Sequence, residues 1–176
     1  MNLHVHSAQG SLLDSILTVK DIAKYAKENG QPAIALSDHG FMYANLNHVI
    51  ECQKLGIKPI TANEIYECDD HFLKNDTKDN VQPRYHLLLI VKNQVGKHNL
   101  FKIVSEACTT GMYKKPRVSV KWIKENNLGE GLICLTACQA GRLSRYLENE
   151  KYDEAEEFMH LLQDTFDYVA CEIQSH

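Results

Sequence analysis

Lys27-Glu28-Asn29-Gly30-Gln31-Pro32-Ala33-Ile34-Ala35-Leu36-Ser37-Asp38-His39-Gly40 is the stretch from which the fold can be read. Its first part closes a helical period (Val19, Ile22, Ala23, Ala26), with Gly30 placed for a left-handed cap and Pro32 beyond it. Residues 33–37 then form an apolar run of strand length, and Asp38-His39 follow it directly. Helix, turn, buried strand and then ligand-type side chains is the grammar of a βαβ unit, in which functional groups collect at the carboxyl ends of strands.

The same grammar extends in both directions. Upstream, Leu3–Val5 is a short strand, and its alternation carried on to His6 sends both imidazoles to one face. Downstream, strands are expected at residues 58–62, 87–91, 131–136 and 168–173, with helical spacing between most of them. The expected fold is α/β with a mainly parallel sheet, open or barrel-like. His6, Asp38-His39 and Glu64 then lie just past the ends of the first three strands. Residues 69–84 break the pattern; they are polar and acidic, and read as a long excursion, mobile or hairpin-like.

Composition narrows the class. At 176 residues, 44% apolar and 24% charged, the chain suits one domain with a sizeable core. No apolar run is long enough to cross a bilayer and no secretion signal opens the sequence, so a cytoplasmic chain without membrane contact is expected. The six cysteines contain no C-x-x-C pair, which argues for reduced thiols and against a zinc ribbon. A net charge of −4 offers no global attraction for nucleic acid, so any such contact must be local.

Several residues carry two readings each. His4 and His6 are half-exposed strand histidines or, with Asp38-His39 and Glu64 beside them, the start of a catalytic-type site for Zn²⁺, Mn²⁺ or Fe²⁺. His86 opens its apolar run instead of following it, and reads as a core histidine or a ligand. Asp14 is a cap or surface carboxylate or a ligand. Cys138, in Leu135-Thr136-Ala137-Cys138-Gln139-Ala140-Gly141, is a small buried residue or a thiolate donor. Lys114, Lys115 and Arg117 are a solvated loop or a phosphate contact.

Taken in order, these motifs resemble a known family. Leu3-His4-Val5-His6-Ser7, Ser11-Leu12-Leu13-Asp14 and Pro32 through Tyr43 are similar to the opening of the PHP (polymerase and histidinol phosphatase) domain, in the branch at the N-terminus of bacterial DNA polymerase III α subunits. The likeness continues through Gly56-Ile57-Lys58-Pro59-Ile60, Tyr85-His86-Leu87, Asn99-Leu100, Tyr113 through Val118, Gly131-Leu132-Ile133, Ala137 through Gly141 and Glu172 through His176.

The resemblance implies a distorted (βα)₇ barrel, a single PHP domain over residues 1–176, with up to three divalent metals (Zn, Mn or Fe, with Mg as an option) at the strand ends. It implies His4, His6, Asp14, His39, Glu64, His86 and Cys138 as ligands, and Lys115 and Arg117 as phosphate or DNA contacts. A later Asp-x-His of the family has no counterpart here, so the barrel is expected to be truncated at its C-terminal side and the isolated chain nearly inactive. Two departures stand out: one extra residue between His6 and Asp14, and Thr61-Ala62-Asn63-Glu64 in place of Ile-Gly-x-Glu. The implied chemistry is phosphoester hydrolysis, such as 3′–5′ exonuclease proofreading on a DNA 3′ end, with the rest of a polymerase chain as partner. A small-molecule phosphatase of the histidinol-phosphatase type and a metal-free structural module are the alternatives.

Overall fold

The computed structural model describes residues 1–74 and 82–174. Thr18 opens the first helix, α1 (Val19–Glu28), through a reciprocal capping box with Asp21. Then come β1 (Ala33–Leu36), α2 (Asn45–Lys54), β2 (Lys58–Glu67) and β3 (Tyr85–Val91). Helix α3 (Gln94–Cys108) leads to a two-strand hairpin, β4 (Met112–Tyr113) and β5 (Lys115–Val118). The chain continues with α4 (Val120–Glu125), β6 (Leu132–Leu135), α5 (Arg142–Glu148), α6 (Tyr152–Gln163) and β7 (Tyr168–Ala170).

The sheet is mixed. It runs β4-β5-β2-β3-β6-β7, and β1 pairs with the first half of β2. Pairs β1–β2, β2–β5 and β6–β7 are parallel, whereas β3 is antiparallel to both β2 and β6. The expected α/β, parallel-rich sheet is therefore found, with β3 as the inverted strand after the excursion that begins at Asp69. Its described residues form no crossover helix, so β3 returns as a hairpin would. Residues 75–81 of that excursion, and 175–176 of the Glu172–His176 motif, lie outside the described residues.

Boundaries shift for similar reasons. Strand β2 extends through Glu67, held by pairing as far as Glu67 with Tyr85, so Glu64 lies inside the strand and not after it. Residues 2–6 run along β1 through Ala35 N–H to the Asn2 carbonyl and Ser37 N–H to the Val5 carbonyl. They form no regular ladder, because the Val5 amide donates to the Ser37 hydroxyl instead. At the far side of the sheet, the Glu172 amide donates to Thr136 Oγ1. The two margins then meet where His4 touches Glu172, curling the sheet toward a distorted barrel.

Burial follows alternation along β3. Leu87 and Leu89 join the outer core with Leu100, Ile103, Ile123 and Leu162 from the helices. Leu88 and Ile90 face the interior with Ala35, Ala62 and Ala137. A strand covered on both faces explains its unbroken apolar run. Among the described residues no helix is long and apolar enough to cross a membrane, and all six cysteines are free thiols.

Candidate metal centre

Glu64 is the hub. It projects to the barrel interior on the same face as Ala62 and Tyr66, and its side chain is 1% exposed. Oε1 lies 3.3 Å from His4 Nε2 and 3.1 Å from His86 Nδ1. Oε2 lies 3.3 Å from His6 Nε2 and 2.8 Å from His39 Nδ1. One buried carboxylate thus serves two triads, His4–His6–Glu64 and His39–Glu64–His86.

Local backbone explains the convergence. Beyond β1 the chain keeps pairing with β2, with Gly40 N–H to the Glu64 carbonyl and Glu64 N–H to the Asp38 carbonyl, so His39 arrives beside Glu64. Asn63 braces the same loop by donating to the carbonyls of Asp38 and Phe41. Asp38 itself faces away from the triads, accepting from the Ser7 amide, the Ser7 hydroxyl and the Ser11 hydroxyl. Gly10 is required there, since a Cβ would fall 2.2 Å from Asp38 Oδ2. His86 reaches the cluster because β3 is antiparallel, which puts its first residues at the end where parallel strands finish.

Asp14 and Cys138 stand at the rim. Asp14 Oδ2 is 3.1 Å from His39 Nε2, with its side chain half exposed. The chain reaches it through turns closed by the Ser11 amide on the Ser7 carbonyl and the Asp14 amide on the Ser11 carbonyl. Cys138 Sγ lies 3.6 Å from His86 Nδ1 and 4.0 Å from Glu64 Oε1. Its loop is held by a bridge between His86 and Gly141, and Ala137 takes a left-handed φ of 60°. Five of the other six expected ligand residues thus lie within 4.0 Å of Glu64, and Asp14 joins them through His39. Ala62, in the place of the family's glycine, packs with Ala35 and Leu88 while Glu64 still meets four imidazoles.

The basic pair divides. Lys115 is exposed and sits 5.3 Å over the Tyr66 ring, which stacks on His39. Arg117 is fully buried and donates to the backbone carbonyls of Gly111, His71 and Leu73. Burial removes it from any surface a phosphate could reach, which corrects its assignment as a DNA contact.

Two further residues belong to the site. Glu172 Oε1 holds His4 Nδ1 at 2.7 Å, turning Nε2 of that ring toward Glu64. Tyr66 lies between His39 and His86, with centroids 5.8 and 5.4 Å away. The signal for Tyr66 was its i+2 spacing from Glu64. Glu172 was signalled only by an acidic residue following an apolar run.

Electrostatics favour a cation at the cluster. Burial opposes charge on His4 and His86, but Glu172 and Glu64 raise His4 to about 10, and Cys138 and Glu64 raise His86 to about 9. Burial also opposes charge on Glu64, yet its imidazole contacts hold it far below the carboxylate range. His6 is lowered by burial and keeps a free lone pair. Protons on His4 and His86 thus supply positive charge where a metal would. His39 Nδ1 and Glu64 Oε2 approach to 2.8 Å without a well-aligned hydrogen bond between them, leaving two buried donor atoms facing one point. Imidazole, carboxylate and thiol donors so arranged fit a divalent metal.

Comparison with known proteins agrees. A family model described as PHP domain matches residues 2–176. Over its whole length the chain is 36% identical to the DNA polymerase III subunit alpha of Treponema pallidum and 35% identical to that of Aquifex aeolicus. The chain spans 15% of the length of each of these relatives. A solved structure from Bifidobacterium adolescentis, assigned as a metal-dependent phosphoesterase, matches with a TM-score of 0.53 at 14% identity. That match covers 95% of this chain and 75% of the other, and supports the fold.

Proposed function

The chain belongs to the PHP domain family, and from that premise we propose that it is the phosphoester-hydrolysing region of a bacterial replicative DNA polymerase α subunit, acting in the cytoplasm on a DNA 3′ end. The observation that carries this reading is the single buried carboxylate of Glu64 shared by two histidine triads. Divalent ions, up to three, would supply a water of lowered pKa and a clamp on phosphoryl oxygens.

The chain's own residues account for the rest. His4, His6, Glu64, His39 and His86 would hold the ions, with Asp14 and Cys138 completing the set from the rim. Nitrogen and sulfur donors favour zinc or iron over magnesium, and the carboxylates also suit manganese. Glu172 orients His4, and Lys115 stands beside Tyr66 to meet a phosphate. The polymerase relatives support DNA as the substrate and the rest of a longer polymerase chain as the partner.

The test is metal content by mass spectrometry after zinc or manganese loading, together with hydrolysis of a 3′-labelled DNA strand by the full-length protein containing this region. Bound metal and cleavage that both vanish in Glu64→Ala are expected. Absence of metal after loading would leave only the structural-module reading. Hydrolysis of small phosphomonoesters but not DNA would favour the phosphatase alternative.

A further inference from the structure

Immediately after His39-Gly40, the chain presents two aromatic rings to a cleft. Phe41 and Tyr43 are stacked, with centroids 4.9 Å apart and planes inclined by 13°, and Tyr43 is 72% exposed. With Met42, Val104, Cys108 and Met112 they line an apolar cleft of about 400 Å³. The rings stand on a braced loop: Asn63 donates to the Phe41 carbonyl, the Phe41 amide donates to the His39 carbonyl, and the Cys108 thiol donates to the Gly40 carbonyl.

The cleft joins the metal centre through the β4–β5 hairpin. Met112 forms part of the cleft, and its neighbour across the hairpin, Pro116, packs so closely on Gly40 that a Cβ there would sit 2.6 Å from Pro116 Cγ. The next hairpin pair, Tyr113 with Lys115, carries the ammonium that lies over Tyr66 beside His39. Lys114 also lies over the Tyr113 ring. An exposed aromatic stack and an exposed cation thus flank one side of the cluster. Aromatic faces bind any base by stacking, and a lysine meets the backbone phosphate by charge.

We propose that this cleft seats the terminal nucleobase of a single-stranded nucleic acid on the Phe41–Tyr43 stack, with Lys115 on the adjoining phosphate. The proposal takes the nucleic-acid end from the hydrolase reading above and adds where its base is held. A flat, sequence-tolerant stack would admit an unpaired end and exclude a phosphate ester that lacks a base.

Fluorescence anisotropy tests it, with the unaltered chain and a labelled (dT)₈ in EDTA, beside the same oligonucleotide with an abasic 3′-terminal position. Tyr43→Ala should weaken (dT)₈ binding about tenfold and the abasic strand far less. Lys115→Ala should weaken both and flatten their salt dependence. Circular dichroism and thermal melting establish that each variant is folded. Equal affinity of the unaltered chain for the two strands, no binding at all, or unchanged binding by folded Tyr43→Ala would overturn the proposal. So would a Tyr43→Ala variant that binds the oligonucleotide normally but loses contact with the rest of the polymerase, since the cleft would then be a protein interface. Hydrolysis of a 3′-labelled DNA strand is measured separately on the metal-loaded full-length protein that contains this region. Its failure counts against the hydrolase reading alone, whereas failure of oligonucleotide binding counts against the cleft alone.

Discussion

Glu64 Oε1 and His86 Nδ1 meet at 3.1 Å because their strands run in opposite directions, so that the start of one lies beside the latter half of the other. That pairing lets one buried carboxylate meet four imidazoles and act as counter-charge to His4 and His86. Removing its charge leaves protonated His86 with only the Cys138 thiol beside it, and His4 with Glu172 alone.

Glu64→Gln is therefore expected to destabilise the metal-free protein by about 3 kcal/mol, the scale of an orphaned buried charge. Urea denaturation reads this directly. The same variant should lose measurable zinc binding in calorimetry. A variant as stable as the parent would show that the four imidazoles do not depend on this carboxylate.

Glu172→Gln should keep the fold but loosen His4. Outer-shell partners of ligating histidines are worth roughly 10–100-fold in metal affinity, and a loss in that range is expected for zinc. Nitrogen-15 spectra of the His4 ring provide a second readout. In the zinc-loaded parent, Nδ1 should carry the proton that faces Glu172, and the variant should show a mixed population.

pH dependence follows from His4 and His86, whose folded values near 10 and 9 exceed their ordinary 6.5. A histidine raised on folding adds stability that is complete below its unfolded pKa and is lost as pH rises through the folded one. The melting temperature of the metal-free chain should thus fall between pH 7 and pH 10. Bound metal displaces these protons, so zinc should flatten the slope and release protons on binding. A metal-free melting temperature that rises over this window would contradict the charge arrangement described above.

The two neighbouring cations on the hairpin should behave oppositely. Arg117→Ala strands the His71 and Leu73 carbonyls and opens a cavity, and is expected to cost about 3 kcal/mol or more in a denaturation experiment. Lys115→Ala, at an exposed position, should fall within about 0.5 kcal/mol of the parent. Comparable losses from both would mean that Lys115 is structural.

Much of the site was legible before any coordinates. Spacing alone put His4 and His6 on one face, and the apolar run before Asp38-His39 put those residues at a strand end, because side-chain alternation and strand termination are local properties. What alternation could not show was direction. His86 looked misplaced because it opens its strand, and only the antiparallel pairing of β3 with β2 explains why it belongs. Arg117 and Lys115 were equivalent on paper, since burial depends on what packs across the hairpin and not on the two residues themselves.

By itself, the sequence determined the donor types, their faces on each strand, and the alternation of strands with helices. The tertiary structure alone decided that β3 is inverted, that Glu64 is the shared hub, that Glu172 reaches His4 across the barrel margin, and that Arg117 is buried. The first set depends on residues a few positions apart. The second depends on pairings between distant segments, whose closure is set by the whole chain's packing.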